Sequence, residues 1–332
     1  MNEKRNTCTF VTMKKIGFIC WLFLSHACLA QPSYYRQQEA ELVITGGTLK
    51  GTLFTPAVGK RHPVVLIIAG SGPTDRDGNS PLLPGKNNSL LQLADSLAAH
   101  GIASLRYDKR GVAKSQIKGF KEEQMLFTDG VSDAKGWIRW LRDQGFRKIF
   151  IAGHSEGSLV GLIAAQSEKI NGFISIAGVG RPIDVVLREQ LAAGAGPDTL
   201  KSLANRYLDT LLSGQRIAKP NPLLFSLFRP SVQPYMISWL RYDPQQLMRS
   251  LSSPALIVQG TNDLQVKETD AQLLARTKPD ATLLIVQDMN HLLKEVKSTA
   301  TADNIASYSN PKLPVMTEPV RAISQFVKGK LN

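Results

Sequence analysis

Residues 149–157 read Ile-Phe-Ile-Ala-Gly-His-Ser-Glu-Gly, an apolar run of strand length that passes into Gly153-x-Ser155-x-Gly157. A serine lifted out of the backbone by a tight turn between a buried strand and a helix is the pattern of a nucleophile elbow. The three-point motif alone is weak, and its flanks supply the context. Lys148 to Ala152 is β-branched and aromatic, and Leu159 to Ala165 is small and apolar, as a helix packed on a sheet is. Gly153 and Gly157 suit a turn in which strand and helix come too close for a side chain. A serine in an ordinary βα turn is the alternative reading of the same residues.

Outward from this stretch the chain alternates. Ala40–Thr45 and Thr48–Phe54, separated by Gly46-Gly47, predict a hairpin at a sheet edge. Pro63–Ala69 is a continuous apolar run, the signature of a strand covered on both faces, and ends in Gly70-Ser71-Gly72-Pro73. Helices are predicted at Asn88–His100 and Thr128–Gln144, with strands at Ile102–Tyr107 and Gly172–Ala177. Pro254–Gln259 and Ala281–Val286 continue the sheet, with a helix near Lys267–Arg276 between them. A polar stretch with no regular period follows at Ser298–Asn310, then a terminal helix at Val315–Lys328. This alternation predicts an α/β fold with a mostly parallel, twisted sheet flanked by helices.

One segment breaks the rhythm. Residues 181–250 are helical in pattern at Ile183–Ala193, Asp198–Leu212 and Ser231–Leu240, and carry Phe225, Phe228, Tyr235, Trp239 and Tyr242. They read as a helical lid inserted into a core formed by residues 35–180 and 251–332. The aromatics either line an acyl pocket or hold the lid together.

The amino terminus departs from the chain's average. Lys14-Lys15 precede the apolar run Ile16–Leu29, and Ala30-Gln31-Pro32 follows. A basic start, an apolar stretch too short to span a bilayer comfortably and a small residue at the cut describe a secretory signal over residues 1–30, so the mature chain is expected in the periplasm or outside the cell, with no membrane span. An uncleaved anchor and a lipoprotein signal at Cys28 are the alternatives; Ser25-His26-Ala27 lacks the aliphatic residue expected three places before such a cysteine. Met13 is a second possible start. All three cysteines, Cys8, Cys20 and Cys28, lie in this segment, so disulfides, thiolate metal sites and a cysteine nucleophile are not expected in the mature protein.

With 43% hydrophobic and 20% charged residues, the 332-residue chain can bury a sizeable core. Its formal charge of +13 suits an anionic surface or acidic ligands, but no basic helix stripe, zinc pattern or aromatic-basic sheet motif accompanies it. A solvated basic surface is the preferred reading and nucleic acid is not expected as a partner. No metal or organic cofactor is implied.

A serine hydroxyl needs a base in reach, itself oriented by a third group. Four histidines lie beyond residue 30: His62 before a central strand, His100 at the end of a helix, His154 in the turn itself, and His291. Of these, His291 sits on a loop after a strand's carboxyl end, where a parallel sheet collects its active site, and is the expected base. Asp263 lies at such an edge between serine and histidine in chain order and is the expected orienting acid. Asp288 competes for that role, and a turn-forming role is the plain reading of Gly260-Thr261-Asn262-Asp263. Acyl transfer needs donors for an oxyanion, and the N–H groups of Ser71 and Glu156 are the candidates. A phosphate-cradling role for Gly70-Ser71-Gly72 is the rival, although the loop lacks the lysine and hydroxyl pair of a P-loop.

With Ser155, Asp263 and His291 in that order, the chain resembles the α/β-hydrolase superfamily, near its exported serine-aminopeptidase-like and dienelactone-hydrolase-like esterases. The resemblance covers about Glu39 to Lys328. Its marks are Gly70-Ser71-Gly72-Pro73 with Asp75-Arg76-Asp77-Gly78, Arg106-Tyr107-Asp108-Lys109-Arg110-Gly111, the GHSEG turn, Gly260-Thr261-Asn262-Asp263 and Asn290-His291. It implies the α/β-hydrolase fold, a lid over the site and the three catalytic roles. Two departures touch loop geometry: Ala69 stands where a histidine often precedes the oxyanion glycine, and Ala113 where many relatives have glycine. The expected activity is cleavage of small-molecule carboxylic esters with small or medium acyl groups through an acyl-enzyme on Ser155, falling as His291 becomes protonated at acid pH. A peptidase, amidase or thioesterase uses the same three groups, and a non-catalytic binding protein on this scaffold is the alternative of another class.

Overall fold

The computed structural model describes residues 34–298 and 300–331, so the expected signal segment and its cysteines lie outside the described residues. Eight strands form one sheet: β1 (Tyr35–Ile44), β2 (Gly47–Pro56), β3 (Val64–Ile68), β4 (Ala103–Tyr107), β5 (Ile149–His154), β6 (Gly172–Ile176), β7 (Ala255–Gly260) and β8 (Thr282–Val286). Their spatial order is β1-β2-β4-β3-β5-β6-β7-β8. β1 and β2 pair antiparallel with each other, β2 pairs antiparallel with β4, and every later pairing is parallel. The mostly parallel α/β sheet predicted from the alternation is therefore present.

The hairpin is longer than its apolar pattern. β1 begins at Tyr35, five residues before the first alternating position, because Tyr35–Glu39 pair through the backbone with Thr52–Pro56 and the Tyr35 ring stacks on Phe54 at 4.1 Å. Backbone pairing carries no hydrophobic signature on an exposed edge.

Six helices belong to the sheet and its rim: α1 (Ser89–Ala99), α2 (Phe127–Asp143), α3 (Glu156–Ala165), α9 (Glu268–Thr277), α10 (Thr301–Ala306) and α11 (Thr317–Val327). The fully buried β3 divides its side chains between two cores. Val64, Leu66 and Ile68 join Phe127, Trp137 and Leu159 on one face, and Val65 and Ile67 join Leu93 and Ile323 on the other. A strand with apolar neighbours above and below reads as a continuous hydrophobic run, which is why 63–69 was legible as central.

Five short helices fill the excursion between β6 and β7: α4 (Ile183–Ala193), α5 (Asp198–Leu212), α6 (Phe225–Phe228), α7 (Gln233–Trp239) and α8 (Pro244–Arg249). α6 and α8 are additions to the predicted set. α8 starts on a local signal, the Asp243 carboxylate accepting the Gln245 N–H at 2.8 Å with Pro244 in the first turn. The polar stretch with no regular period contains α10. Its polar side chains hold it: Asn290 donates to Ser307 Oγ at 2.6 Å, and Asn304 donates to the Asn262 carbonyl at 2.6 Å. A helix fixed by buried amides shows no amphipathic period.

Candidate active site

β5 ends at His154 and α3 begins at Glu156, leaving Ser155 alone at the turn with φ 55 and ψ −123. A non-glycine residue in that region stores roughly 1–3 kcal/mol of strain, sustained only where the surroundings over-determine it. Here they do. The Ser155 N–H donates to the Ile176 carbonyl at 2.9 Å, and the Ser158 N–H to Ser155 O at 2.9 Å. A Cβ on Gly153 would meet the Gly157 carbonyl oxygen at 2.2 Å, and one on Gly157 would meet the Ile68 carbonyl oxygen at 2.4 Å. Both clashes are with backbone, so these positions admit only glycine.

The loops after β7 and β8 bring the next two groups together. His291 Nδ1 lies 2.8 Å from Asp263 Oδ2, and both side chains are buried. The carboxylate is fixed from several sides: Oδ1 accepts the N–H groups of Gln265 at 2.7 Å and Val266 at 3.0 Å, and Oδ2 accepts Gln259 Nε2 at 3.1 Å. Burial pushes the Asp263 carboxyl up, but His291 and the amides of Val266 and Gln265 outweigh it and hold the group below its ordinary value. The charged carboxylate thus accepts the Nδ1 proton, which leaves Nε2 as the free face of the ring. Asp288, the competitor for this role, sits in a turn at φ 58 with its carboxylate accepting from Gln287 Nε2 at 2.8 Å.

Ser155 and His291 line one cleft of ≈ 340 Å³ together with Gly70, Ser71 and Gly72; among the described residues no hydrogen bond joins the hydroxyl to the ring. A Cβ on Gly70 would lie 3.2 Å from Ser155 Cβ, so the peptide carrying the Ser71 N–H passes beside the serine. Glu156 is the first residue of α3, where an N–H has no intrahelical acceptor. All five residues singled out in the sequence thus meet at one rim of the sheet. A second recess of ≈ 290 Å³ adjoins the cleft at Gly72 and Leu82 and is walled by Val112, Phe120, Met125 and Tyr235.

The two charged stretches near the glycine loop form one brace. Arg76 bonds Asp108 twice, from its N–H and from its guanidinium, each at 2.8 Å, and its guanidinium also reaches Thr52 Oγ1 at 2.6 Å. Arg106 pairs with Asp77 and lies 4.6 Å over the Phe54 ring. Ala113, at the position where glycine was expected, has φ 44.

Sequence reasoning set aside His154 as a neighbour of the serine. In the structure its Nε2 lies 2.7 Å from the His291 carbonyl oxygen, with the two rings 4.7 Å apart. Burial and the nearby His291 lower it to about 4, so at neutral pH it is an uncharged donor fixing the backbone of residue 291. The available signal was its place on the turn, one residue before the serine, and its ring lines the same cleft. Among the described residues no group of three His, Cys, Asp or Glu side chains is placed to hold a metal ion, and no helix is long and apolar enough to cross a membrane.

Comparison with known proteins agrees with this geometry. The family model described as serine aminopeptidase, S33 matches residues 86–224, which include Ser155 and end before Asp263 and His291. Esterase EstD of Thermotoga maritima is 26% identical over 310 residues, covering 87% of this chain and 70% of its own. Among solved structures, an esterase of Pyrococcus furiosus superposes with a TM-score of 0.57 at 16% identity, over 90% of this chain and 92% of its own. Est1E from Butyrivibrio proteoclasticus does so with 0.55 at 15%, over 88% and 99%. The sheet order, the elbow and these likenesses point the same way: the chain has the α/β-hydrolase fold and is similar to esterases built on it.

Proposed function

We propose that this serine hydrolase cleaves carboxylic esters of small or medium acyl groups outside the cytoplasm, through an acyl-enzyme on Ser155. In that reading His291 Nε2 takes the Ser155 proton as Oγ attacks the ester carbonyl carbon. The carbonyl oxygen becomes an oxyanion received by the Ser71 and Glu156 N–H groups. Collapse breaks the ester C–O bond, and His291 returns its proton to the departing alcohol. Water then attacks the acyl-enzyme with His291 again as base, releasing the carboxylic acid and restoring the hydroxyl. Asp263 keeps the imidazole oriented throughout. The observation that carries the reading is the buried Asp263–His291 bond of 2.8 Å at the rim of the cleft that Ser155 lines. The esterases among the relatives support the ester class.

The description of the matching family favours a second reading, removal of amino-terminal residues from peptides. A panel of p-nitrophenyl esters against aminoacyl p-nitroanilides divides the two. A fluorophosphonate probe tests the nucleophile: labelling of the wild type that disappears in Ser155→Ala is the expected result, and a folded wild type that takes no label overturns the mechanism. Export rests on Lys14-Lys15, the apolar run 16–29 and Ala30. An extracytoplasmic fraction whose protein begins at Gln31 is the expected outcome; full-length protein confined to the cytoplasm rejects it.

A further inference from the structure

Lys109 lies in the loop after β4, at the centre of Arg106-Tyr107-Asp108-Lys109-Arg110-Gly111, and no step of the mechanism uses it. Its side chain is only 16% exposed, and its ammonium makes two contacts. Nζ donates to the Gly70 carbonyl oxygen at 2.5 Å and lies 3.8 Å from Glu156 Oε1. Glu156 and Tyr235 of α7 line one small recess together with Lys109. Burial and the negative charge of Glu156 push Tyr235 well above its ordinary value, so the phenol keeps its proton.

The bond to Gly70 O acts on the next residue. In a planar trans peptide the C=O of one residue and the N–H of the next point in opposite directions. Holding the Gly70 carbonyl on Lys109 therefore turns the Ser71 N–H the other way, toward the cleft that Ser155 lines. Gly70 cannot be held there by packing of its own, since it has no side chain and a Cβ would press on Ser155 Cβ at 3.2 Å and His154 Nδ1 at 3.3 Å. The second expected oxyanion donor is the N–H of Glu156, whose side chain is the counter-charge of this same lysine. One ion pair thus links the two donors, one through a main-chain carbonyl and the other through the residue that carries it.

We infer that Lys109 is the positioning residue of the oxyanion hole: it orients the Gly70–Ser71 peptide, and Glu156 and Tyr235 hold it in place. The inference rests on the acyl-enzyme reading above. It differs from a plain structural strut in what it affects, because donors aimed at an oxyanion act on the transition state and leave ground-state binding alone.

The experiment compares wild type with Lys109→Met, which keeps the aliphatic stem and removes the donor. The readouts are kcat and KM for p-nitrophenyl butyrate and inhibition by an alkyl trifluoromethyl ketone, whose adduct with a serine carries an oxyanion. In Lys109→Met, kcat is expected to fall about 10- to 100-fold with KM within about twofold, and the inhibition constant to rise by a similar factor. If the Met variant does not fold, Lys109→Leu, which also lacks a donor, takes its place with the same expectation. A folded variant with kcat within about threefold of wild type, or with KM carrying the loss while ketone affinity is unchanged, overturns the inference. Fluorophosphonate labelling of the wild type separates the two levels. With label on Ser155 and an unaltered Lys109 variant, only the positioning role falls; with no label on Ser155, the acyl-enzyme falls and the inference with it.

Discussion

His154 illustrates how a side chain beside Ser155 shapes stability. Its folded value of about 4 lies below the ordinary 6.5, so the unfolded chain binds this proton more readily than the native one. Its contribution is fully present above pH 6.5 and is lost as the pH falls through the window from 6.5 to 4, by about 3 kcal/mol in all. His154→Gln retains an amide N–H able to reach the His291 carbonyl and has nothing to titrate. Urea unfolding between pH 7.5 and 4 is expected to show a shallower loss for the variant than for wild type; parallel curves would remove His154 from the account. Ala113 makes a complementary case. It is exposed and left-handed at φ 44, a conformation costing an alanine roughly 1–2 kcal/mol, while glycine brings roughly 0.5–1 kcal/mol of extra chain entropy to lose. The difference favours Ala113→Gly by up to about 1.5 kcal/mol, read from the urea midpoint at constant slope.

At the level of elements, the elbow depends on α3 reaching the ends of β3 and β5 with backbone against backbone. The Gly157 Cα faces the carbonyls of Ile68 and Ala69, at 2.4 Å and 2.6 Å from where a Cβ would sit. No rotamer can relieve such a contact, so Gly157→Ala must move the helix or the strand. A loss of at least about 3 kcal/mol is expected, seen as a lower urea midpoint or as insoluble protein. The requirement was legible, as were the strands, because covered strands and packed helices leave hydrophobic periods and tight turns leave glycines. The Ser-Asp-His order was legible too, since strand ends of a parallel sheet can be counted along the chain. What escaped were elements fixed by polar or long-range contacts. α10 depends on Asn290 and Asn262, and Lys109 acquires meaning only beside Gly70, Glu156 and Tyr235, from four separate parts of the chain.

Across the whole described molecule, the excursion between β6 and β7 is fastened to the sheet layer at two points along its path. At its start Arg181 grips the buried Asp270 of α9 with Nε at 3.0 Å and Nη2 at 2.7 Å, while the Gly180 N–H donates to the same carboxylate. Farther along, Phe127 at the head of α2 stacks face to face on Trp239 at 5.6 Å, with Tyr235 edge-on at 5.9 Å and Tyr242 at 5.6 Å, and its N–H donates to Ser238 Oγ. Three of the five aromatics noted in the sequence therefore hold the segment down, and Tyr235 also lines a recess with Glu156. Removing the central ring tests whether anchoring and chemistry are joined. Phe127 is fully buried, so Phe127→Ala is expected to cost about 3–5 kcal/mol in urea unfolding. Because Tyr235 loses its edge contact, kcat for p-nitrophenyl butyrate is also expected to drop severalfold in protein that remains folded at 25 °C. Phe225, at 42% exposure, is the control: Phe225→Ala leaves both quantities near wild type. A Phe127 variant that loses stability yet keeps full kcat would make the cluster a fastening alone, with no bearing on the Gly70–Ser71 loop.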